Sequence, residues 1–252
     1  MKNRLYIYLT LCWISLLAMD CWGQQYKFNH FSVKEGLSEP FIYTINQDDK
    51  GFLWIGTGEG LFRYDGFHFN HYTTQDSLAG YFITESMKDS AGNLWFGHMN
   101  GGITQYNGKT FMKIHLNGNQ NAITDICQGR KRNIWIATQT EGLYRVDARK
   151  NISHIPLPFE EEYVSSLCYL EKEYLFIGTN RNLYLARHNE TDDALKQMTK
   201  IKSIPESNII QIIHSESDNK LAVVSKDQGV YILETKTNGS HFSISQTDTL
   251  LQ

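Results

Sequence analysis

The most constraining feature of the chain is a five-residue motif that returns at nearly constant intervals. Its first copy, at residues 53–57, reads Leu-Trp-Ile-Gly-Thr, and related copies occupy residues 94–98, 134–138, 175–179 and 221–225. The second position of the motif is Trp54, Trp95, Trp135, Phe176 and Ala222, in steps of 41, 40, 41 and 46 residues. A repeat of about 40–45 residues built from short strands is typical of a β-propeller blade.

Each unit contains four apolar runs separated by turn residues. In the first unit the runs predict strands at residues 42–46, 53–57, 61–64 and 67–72. The separators are Asp48–Gly51, Gly58–Gly60 and Asp65-Gly66, and Asp-Gly pairs form the tight turns that match strand twist. A β-branched residue lies twelve positions before each motif tryptophan or its replacement: Ile42, Ile83, Ile123, Val164 and Ile210. We therefore predict an all-β propeller of four-stranded blades, with about five repeats in residues 24–252.

The register at the two ends of the repeat region predicts an incomplete ring. Residues 26–32 resemble residues 67–73, which are predicted to form an outer strand, so the mature chain is expected to open with a lone outer strand. The fifth unit is expected to have its own outer strand near His241–Ser245, and Gln246–Gln252 resembles the start of another blade. A ring with six outer strands and five sets of inner strands does not close neatly, because the numbers of outer strands and of sets of inner strands do not match. Two further units of about 41 residues would complete a seven-bladed ring, within the known range of blade numbers.

The N-terminus predicts export. Lys2 and Arg4 precede an apolar stretch, Leu5–Met19, and Cys21 and Gly23 stand at the positions that a signal peptidase reads. The stretch is shorter than the ~20 residues that span a bilayer. We expect a signal peptide at residues 1–23 and a mature chain that is exported to the bacterial periplasm without membrane insertion. The alternative is a lipoprotein acylated at Cys21.

The net charge bears on the kind of partner that the chain can bind, and the cysteines bear on whether it contains a disulfide. The formal charge is −3, and loss of residues 1–23 removes Lys2, Arg4 and Asp20, giving 22 − 26 = −4. Without a basic excess, a nucleic-acid partner is disfavoured. Cys127 and Cys168 both lie eight residues before the motif's second position, in neighbouring blades. They are expected to be buried thiols, and a disulfide between them is the alternative.

The sequence contains no constellation that predicts catalysis, a metal site or a cofactor site. Carboxylates occur in predicted loops, but a glycosidase needs two of them about 5–10 Å apart, and no spacing pairs these: Glu35, Glu59, Asp76, Glu85 and Glu141. The glycines around Gly102–Gly108 have the wrong spacing for a phosphate loop and predict a hairpin. The nine histidines show no ligand spacing. We therefore assign no catalytic, cofactor or metal residue.

Aromatic residues near the blade entrances raise a binding hypothesis. Phe41, Tyr43, Tyr81 and Phe82 could stack on sugar rings, and the alternative is packing between blades. Trp54, Trp95 and Trp135 are predicted to be structural wedges between neighbouring blades. Because packing explains all of these residues, the ligand-binding residues stay unassigned.

Two segments resemble a known family. Asn46–Thr57 followed by Gly60–Gly66 (Gly-Leu-Phe-Arg-Tyr-Asp-Gly), and more briefly Lys88–Gly97, resemble the two-component regulator propeller repeat. In the third to fifth copies the resemblance weakens, since Arg132 and Glu173 replace the turn glycine.

The resemblance implies a role in signalling. Such repeats form the periplasmic sensor region of hybrid histidine kinases in Bacteroidetes-type bacteria, which often sense carbohydrate breakdown products. The chain would then be the N-terminal part of such a receptor, with no enzyme activity of its own, an oligosaccharide as a possible ligand and a homodimer as a possible assembly. The alternatives are a stand-alone exported interaction scaffold and a secreted glycosidase.

Overall fold

The computed structural model describes residues 28–116, 118, 120–159, 162–170, 173–188, 195–215, 217–238 and 241–250. For residues 236–238 and 241–250 the backbone alone is described. The chain divides into a leading segment that ends at Phe31 and a body that begins at Ser32. The predicted signal peptide, residues 1–23, lies outside the described residues.

The body is a series of five antiparallel sheets, each of four strands joined in sequence order. Blades one and two comprise β1 (Ile42–Gln47), β2 (Leu53–Thr57), β3 (Leu61–Tyr64), β4 (Phe69–Tyr72), β5 (Ile83–Lys88), β6 (Leu94–His98), β7 (Gly102–Tyr106) and β8 (Phe111–His115). Blades three to five comprise β9 (Ile123–Gln128), β10 (Ile134–Thr138), β11 (Leu143–Val146), β12 (Ile152–Ile155), β13 (Val164–Leu170), β14 (Tyr174–Thr179), β15 (Leu183–His188), β16 (Leu195–Lys200), β17 (Ile209–Ser215), β18 (Lys220–Ser225), β19 (Gly229–Asn238) and β20 (His241–Leu250). Short 3₁₀ turns occupy Val33–Glu35, Thr74–Asp76 and Arg130–Arg132.

Successive blades contact one another through their first strands. β1 packs on β5, β5 on β9, β9 on β13 and β13 on β17, so these strands form the inner wall of the fold. Among the described strands, no comparable packing joins β17 to β1. The structure therefore confirms an all-β propeller of four-stranded blades with five repeats and an unclosed ring.

The predicted strand at the start of the mature chain is wrong over the residues that are described. Residues 28–32 form no strand, and residues 26 and 27 lie outside the described part. Ser32 instead caps a 3₁₀ turn: its hydroxyl and main-chain N–H both donate to the Glu35 carboxylate at 2.6 Å. Thr73 and Asp76 form the same capping box in the next link. Ser32 and Thr73, the last residues of the two similar segments, therefore share the role of capping a 3₁₀ turn.

The predicted end of the fifth blade is also wrong. β20 runs through Leu250 and pairs with β19, so residues 246–250 belong to the outer strand and do not lead into another blade. Residues 251 and 252 lie outside the described part. Each described blade therefore has one outer strand, and the expected surplus of outer strands is not observed.

The seams between blades are built by a repeated knob and notch. We call the first residue of each inner strand the knob and the penultimate residue of the preceding blade's second strand the notch. The notches are Gly56, Gly97, Ala137 and Gly178, which face the knobs Ile83, Ile123, Val164 and Ile209. A Cβ on Gly56 or Gly97 would lie 2.6 Å from the Cγ2 of the facing isoleucine, and a Cβ on Gly178 would lie 2.7 Å from it. Glycine is needed because the knob occupies the space of its missing side chain.

The knob of the fifth blade is Ile209 and not Ile210. Ile209 pairs with Ser225 as Ile42 pairs with Thr57, whereas Ile210 falls on a β-bulge and is exposed. The knob lies thirteen residues before the motif's second position in blade five, at Ile209 and Ala222, and twelve before it in the other blades, which accounts for the error of one position.

The motif tryptophans are buried wedges, as predicted. Trp54 lies against the next blade, with its ring centroid 4.6 Å from that of Tyr106. The Nε1–H groups of Trp54 and Trp95 donate to Asp48 and Asp89 at 2.9 Å. Trp135 has no such acceptor, because Gly129 occupies the corresponding position, and within the described residues its Nε1–H has no hydrogen-bond partner.

Candidate functional site

One end of the propeller, here called the loop end, gathers the links that enter the blades and the loops between second and third strands. In each of blades two to five, a main-chain hydrogen bond of 2.9–3.1 Å joins the loop between the second and third strands to the link that enters the same blade. The four bonds run from Met99 N–H to Phe82 O, from Gln139 N–H to Ala122 O, from Asn180 N–H to Tyr163 O and from Lys226 N–H to Asn208 O. Loops on a rigid scaffold are where propellers and other folds carry binding sites. The loop end is therefore the part of the propeller where a binding site is expected.

A cavity of about 330 Å³ lies at the loop end of blade two. Tyr81, Phe82 and Met99 supply most of its apolar lining, and the side chains of Tyr81 and Met99 are largely exposed. The ring of Tyr43, from blade one, lies 4.6 Å from that of Phe82. The structure thus brings together three of the four aromatic residues proposed for sugar stacking. Phe41, the fourth, is exposed but does not line this cavity.

Polar contacts hold the walls of this cavity in place. The Asn100 side-chain amide donates to the Ala79 carbonyl at 3.0 Å, and the Ala79 N–H donates to the Thr104 hydroxyl at 2.9 Å. The same hydroxyl contacts the buried His98 ring at 2.7 Å, and burial lowers the pKa of His98 to about 4. The imidazole is therefore neutral near pH 7 and is a fixed structural element. A cavity with fixed walls and exposed aromatic rings suits an uncharged, ring-shaped ligand.

A second cavity at the loop end, of about 280 Å³, lies between blades three and four. It is lined in part by Glu141, Glu162, His154 and Phe159. Glu162 accepts hydrogen bonds from the Asn182 amide at 2.7 Å and the Tyr184 hydroxyl at 2.9 Å. Burial together with the neighbouring Glu162 raises the pKa of Tyr184 to about 12. Glu162 was not among the sequence candidates, and only its place in a blade-entry link could have drawn attention to it.

A belt of polar side chains runs along the inner strands, two residues after each knob: Thr44, Glu85, Asp125, Ser166 and Gln211. Several members connect neighbouring blades. The Asp125 carboxylate accepts from the Ser166 hydroxyl at 2.9 Å and the Leu167 N–H at 2.6 Å. The Ser166 oxygen in turn accepts from the Ile212 N–H at 3.1 Å. The belt therefore links the third, fourth and fifth blades through buried polar contacts.

Glu85 and Asp125 form the one titratable pair of this belt. Burial, reinforced by the Asp125 carboxylate, raises the pKa of Glu85 to about 7. Burial also raises the pKa of Asp125, although three donors oppose the rise. Asp125 was missed in the sequence, where its register with Glu85, two residues after a knob, was the available signal. These carboxyl groups fill the wall between blades, so we interpret them as structural.

The other sequence-predicted carboxylates are dispersed. Glu35 and Asp76 are engaged in capping boxes, which makes them folding devices. The Glu141 carboxylate accepts from the Asn121 amide at 3.2 Å, and the main chain of Glu59 bonds Thr57 and His71. Of the five candidates, Glu85 lies beside Asp125, and Glu141 lines the second loop-end cavity together with Glu162; neither partner was a candidate.

Three further expectations concern metals, thiols and membranes. In the described part of the chain, no group of three or more His, Cys, Asp or Glu side chains is arranged to hold a metal ion. Cys127 and Cys168 are both free thiols, and burial raises the pKa of Cys168 to about 12. No helix among the described residues is long and apolar enough to cross a bilayer.

Comparison with solved structures defines the class of fold. A streptogramin B lyase shares 18% identity at a TM-score of 0.66, over 85% of this chain and 70% of that one. Virginiamycin B lyase from Staphylococcus aureus shares 20% identity at a TM-score of 0.63, over 83% and 71% of the two chains. At these identities the likeness establishes a β-propeller fold and assigns no activity.

The family comparison is more specific. Residues 36–59 match the family model of the two-component regulator propeller, which confirms the resemblance seen in the first repeat. The extracellular domain of a hybrid two-component system from B. thetaiotaomicron shares 21% identity at a TM-score of 0.55, over 82% of this chain. The chain spans 35% of the length of that domain. No curated protein matches the chain.

Proposed function

We propose that the chain is the ligand-sensing propeller of a two-component receptor and works in the periplasm. The family match at residues 36–59 supports the receptor class. The N-terminal signal-peptide pattern supports export. In such a receptor, ligand binding or dimerisation of the propeller would be transmitted along the chain to a membrane helix and a kinase, so the propeller itself needs no catalytic residue.

We further propose that the ligand is an oligosaccharide that stacks on Tyr81 in the cavity of blade two. The observation that carries this proposal is the exposure of Tyr81, which is 57% accessible beside a cavity with fixed walls. Stacking between a sugar ring and an aromatic face is the main apolar contact that a carbohydrate can make with a protein, and the flanking Asn100 amide offers polar contacts.

The test is binding of a panel of oligosaccharides to the mature chain, followed by thermal unfolding. A ligand at a hundredfold excess over its Kd stabilises the folded state by about 2.7 kcal/mol. Tyr81→Ala should abolish that shift. Phe67→Ala is the matched control, because Phe67 is an exposed aromatic residue in the β3–β4 turn at the opposite end. An unchanged shift in Tyr81→Ala, or no shift with any oligosaccharide, would contradict the proposed ligand site.

The receptor assignment has a separate test in the DNA downstream of codon 252. An open frame that continues with further repeats, a membrane helix and kinase domains supports it. A stop codon followed by an unrelated gene contradicts it and favours the stand-alone scaffold. The two tests are independent, because a ligand site can exist in either kind of protein.

One observation favours the scaffold alternative or a homodimer. The face of blade one that a preceding blade would cover exposes Ile42 and Ile45, whereas the equivalent residues of the other blades are buried. Light scattering on the mature chain distinguishes these outcomes. A monodisperse species supports a self-sufficient scaffold or dimer according to its mass, and aggregation contradicts the scaffold, because such a protein must cover its apolar faces.

A further inference from the structure

The turn between β9 and β10 differs in charge from its counterparts. In blades one and two this turn begins with an aspartate and contains a glycine, as in Asp48–Phe52 and Asp89–Asn93. In blade three the same five positions read Gly-Arg-Lys-Arg-Asn, from Gly129 to Asn133. An acidic turn has thus become a run of three cations, which the net charge of the chain conceals.

The backbone of this turn adopts a conformation that is unfavourable for its residues. Arg132 has φ 62° and Lys131 has φ 55°, both in the left-handed region. Gly51 and Gly92 occupy the position of Arg132 in blades one and two, with φ 87° and 81°. Glycine adopts such angles freely, whereas a side chain adds steric cost. An arginine where the repeat has glycine is a local strain of the kind that persists at functional sites.

The three cations line a cavity of about 640 Å³, which is larger than either of the two loop-end cavities. It lies at the end opposite the loop end. Blades four and five contribute Tyr169, His214 and Asn219 to its walls. Asp218, which precedes the lining residue Asn219, lies 3.8 Å from the Lys220 ammonium group.

One wall of the cavity is fixed by a reciprocal contact between blades two and three. The Ser90 N–H donates to the Gln128 side-chain oxygen at 2.7 Å, and the Gln128 amide donates to the Ser90 hydroxyl oxygen at 3.0 Å. Both residues line the cavity. The cavity therefore combines a held polar wall with a cationic turn.

We propose that this cavity binds an oxyanion, the sulfate, phosphate or carboxylate group of a small ligand. Guanidinium groups form paired, charge-assisted hydrogen bonds with such groups, and Lys131 and His214 add cationic or neutral donors. The site is independent of the proposed sugar cavity, since it lies at the other end of the blades and uses charge in place of stacking.

The experiment is titration calorimetry of the mature chain with sodium sulfate, sodium phosphate and sodium acetate at constant ionic strength set with chloride. We expect one or more of these probes to bind saturably, and the order of their affinities identifies the oxyanion that the cavity prefers. Arg132→Gly should weaken binding at least tenfold and raise Tm, because glycine accepts the left-handed angle. Opposite changes in binding and stability cannot arise from partial unfolding.

Two further variants complete the test. Ser77→Gly relieves a left-handed residue, φ 75°, at the loop end, so it should leave anion binding unchanged. Arg130→Gln removes a cation without changing backbone strain and should also weaken binding. The proposal is overturned if no probe binds saturably, or if Arg132→Gly and Arg130→Gln bind as the unmodified chain does.

Discussion

The four covered seams of this propeller and the bare face of blade one carry the same kind of residue in opposite surroundings. The knobs Ile83, Ile123, Val164 and Ile209 are 0–2% exposed, whereas Ile42, the knob of blade one, is 43% exposed. The residue type and the strand register are alike, so local sequence does not set the burial. What differs is the presence of a preceding blade with a glycine or alanine notch.

Blade five, at the other end of the series of blades, lacks a notch. The position that corresponds to the notch is Val224 in blade five, and its β-branched side chain occupies the space that a knob would need. A seam of the observed type therefore cannot form between the second strand of blade five and Ile42 of blade one. Covering blade one in the same manner requires a strand with glycine or alanine at the notch.

The largest expected effect comes from truncating a covered knob. Ile83→Ala should lower the free energy of unfolding by about 2–5 kcal/mol, because it leaves a cavity against Gly56 in a close-packed seam. Ile42→Ala should cost less than half as much, because that knob has no notch to fill. Urea unfolding of both variants measures the difference, and equal costs would refute the claim that the seam determines the contribution.

Filling a notch is expected to cost somewhat less. Gly97→Ala places a Cβ 2.6 Å from Ile123 Cγ2 and should destabilise the chain by about 1–3 kcal/mol through overpacking. Gly58→Ala is the matched control, since its Cβ would lie at an ordinary 3.6 Å from the Phe82 ring. The comparison fails if the two alanine variants have the same midpoint of unfolding.

The third seam allows a smaller and more specific test. It pairs an alanine notch with a valine knob, Ala137 with Val164, so the two sizes compensate. Val164→Ile alone and Ala137→Gly alone should each cost about 1 kcal/mol. The double variant recreates the glycine–isoleucine pair and should recover about 0.5–1.5 kcal/mol as coupling energy in a double-mutant cycle. Simple additivity would show that knob and notch are not matched.

The smallest effect concerns the carboxyl pair in the wall between the second and third blades. The pKa of Glu85 is about 7 in the folded chain against an ordinary glutamate value of 4.5, so the folded state holds the proton more tightly. Stability is then highest below about pH 4.5 for this group and falls as the pH rises toward 7. Glu85→Gln should remove this loss, because glutamine does not titrate. Allowing for solvent screening, we expect its free energy of unfolding at pH 8 to exceed that of the unmodified chain by about 1 kcal/mol or less, and the difference should be smaller at pH 5.

Denaturant unfolding at the two pH values measures this effect. A difference between Glu85→Gln and the unmodified chain that stays the same at pH 5 and pH 8 would show that Glu85 does not titrate with folding. Asp76→Asn serves as a control for loss of a carboxylate outside this wall. Its effect should reflect the weakened cap of its own turn.

The repeat predicted the fold because spacing and turn chemistry act locally. The observed strands of blade one begin and end within two residues of the predicted limits, and the motif tryptophans are buried as expected. Errors arose where local similarity had another cause. Residues 26–32 resemble an outer strand but lead into the turn capped by Ser32. Ile210 was chosen in place of Ile209 because the span from the knob to the motif's second position is one residue longer in blade five than in the other blades.

The candidate sites were less predictable, because they combine residues from different blades. Tyr43, Tyr81 and Phe82 were recognised as aromatic residues near blade entrances, but their meeting with Met99 depends on how two loops are hydrogen bonded. The basic turn at Arg130–Arg132 was hidden by a net charge of −3, since averaging over the chain removes local charge. Register within the repeat revealed that Arg132 replaces the turn glycine, and applied to every position it would also have revealed Asp125.

The order in which inner strands contact one another has a consequence for how the chain unfolds. Each described blade packs only on the blades before and after it, so the molecule behaves as a linear array of coupled units. Blade three packs on one blade on each side and lies farthest from both ends of the array, whereas blades one and five each lack one partner. Amide hydrogen exchange should therefore be slowest in β9–β11 and fastest at both ends, and any partner that covers blade one would slow exchange progressively along the array.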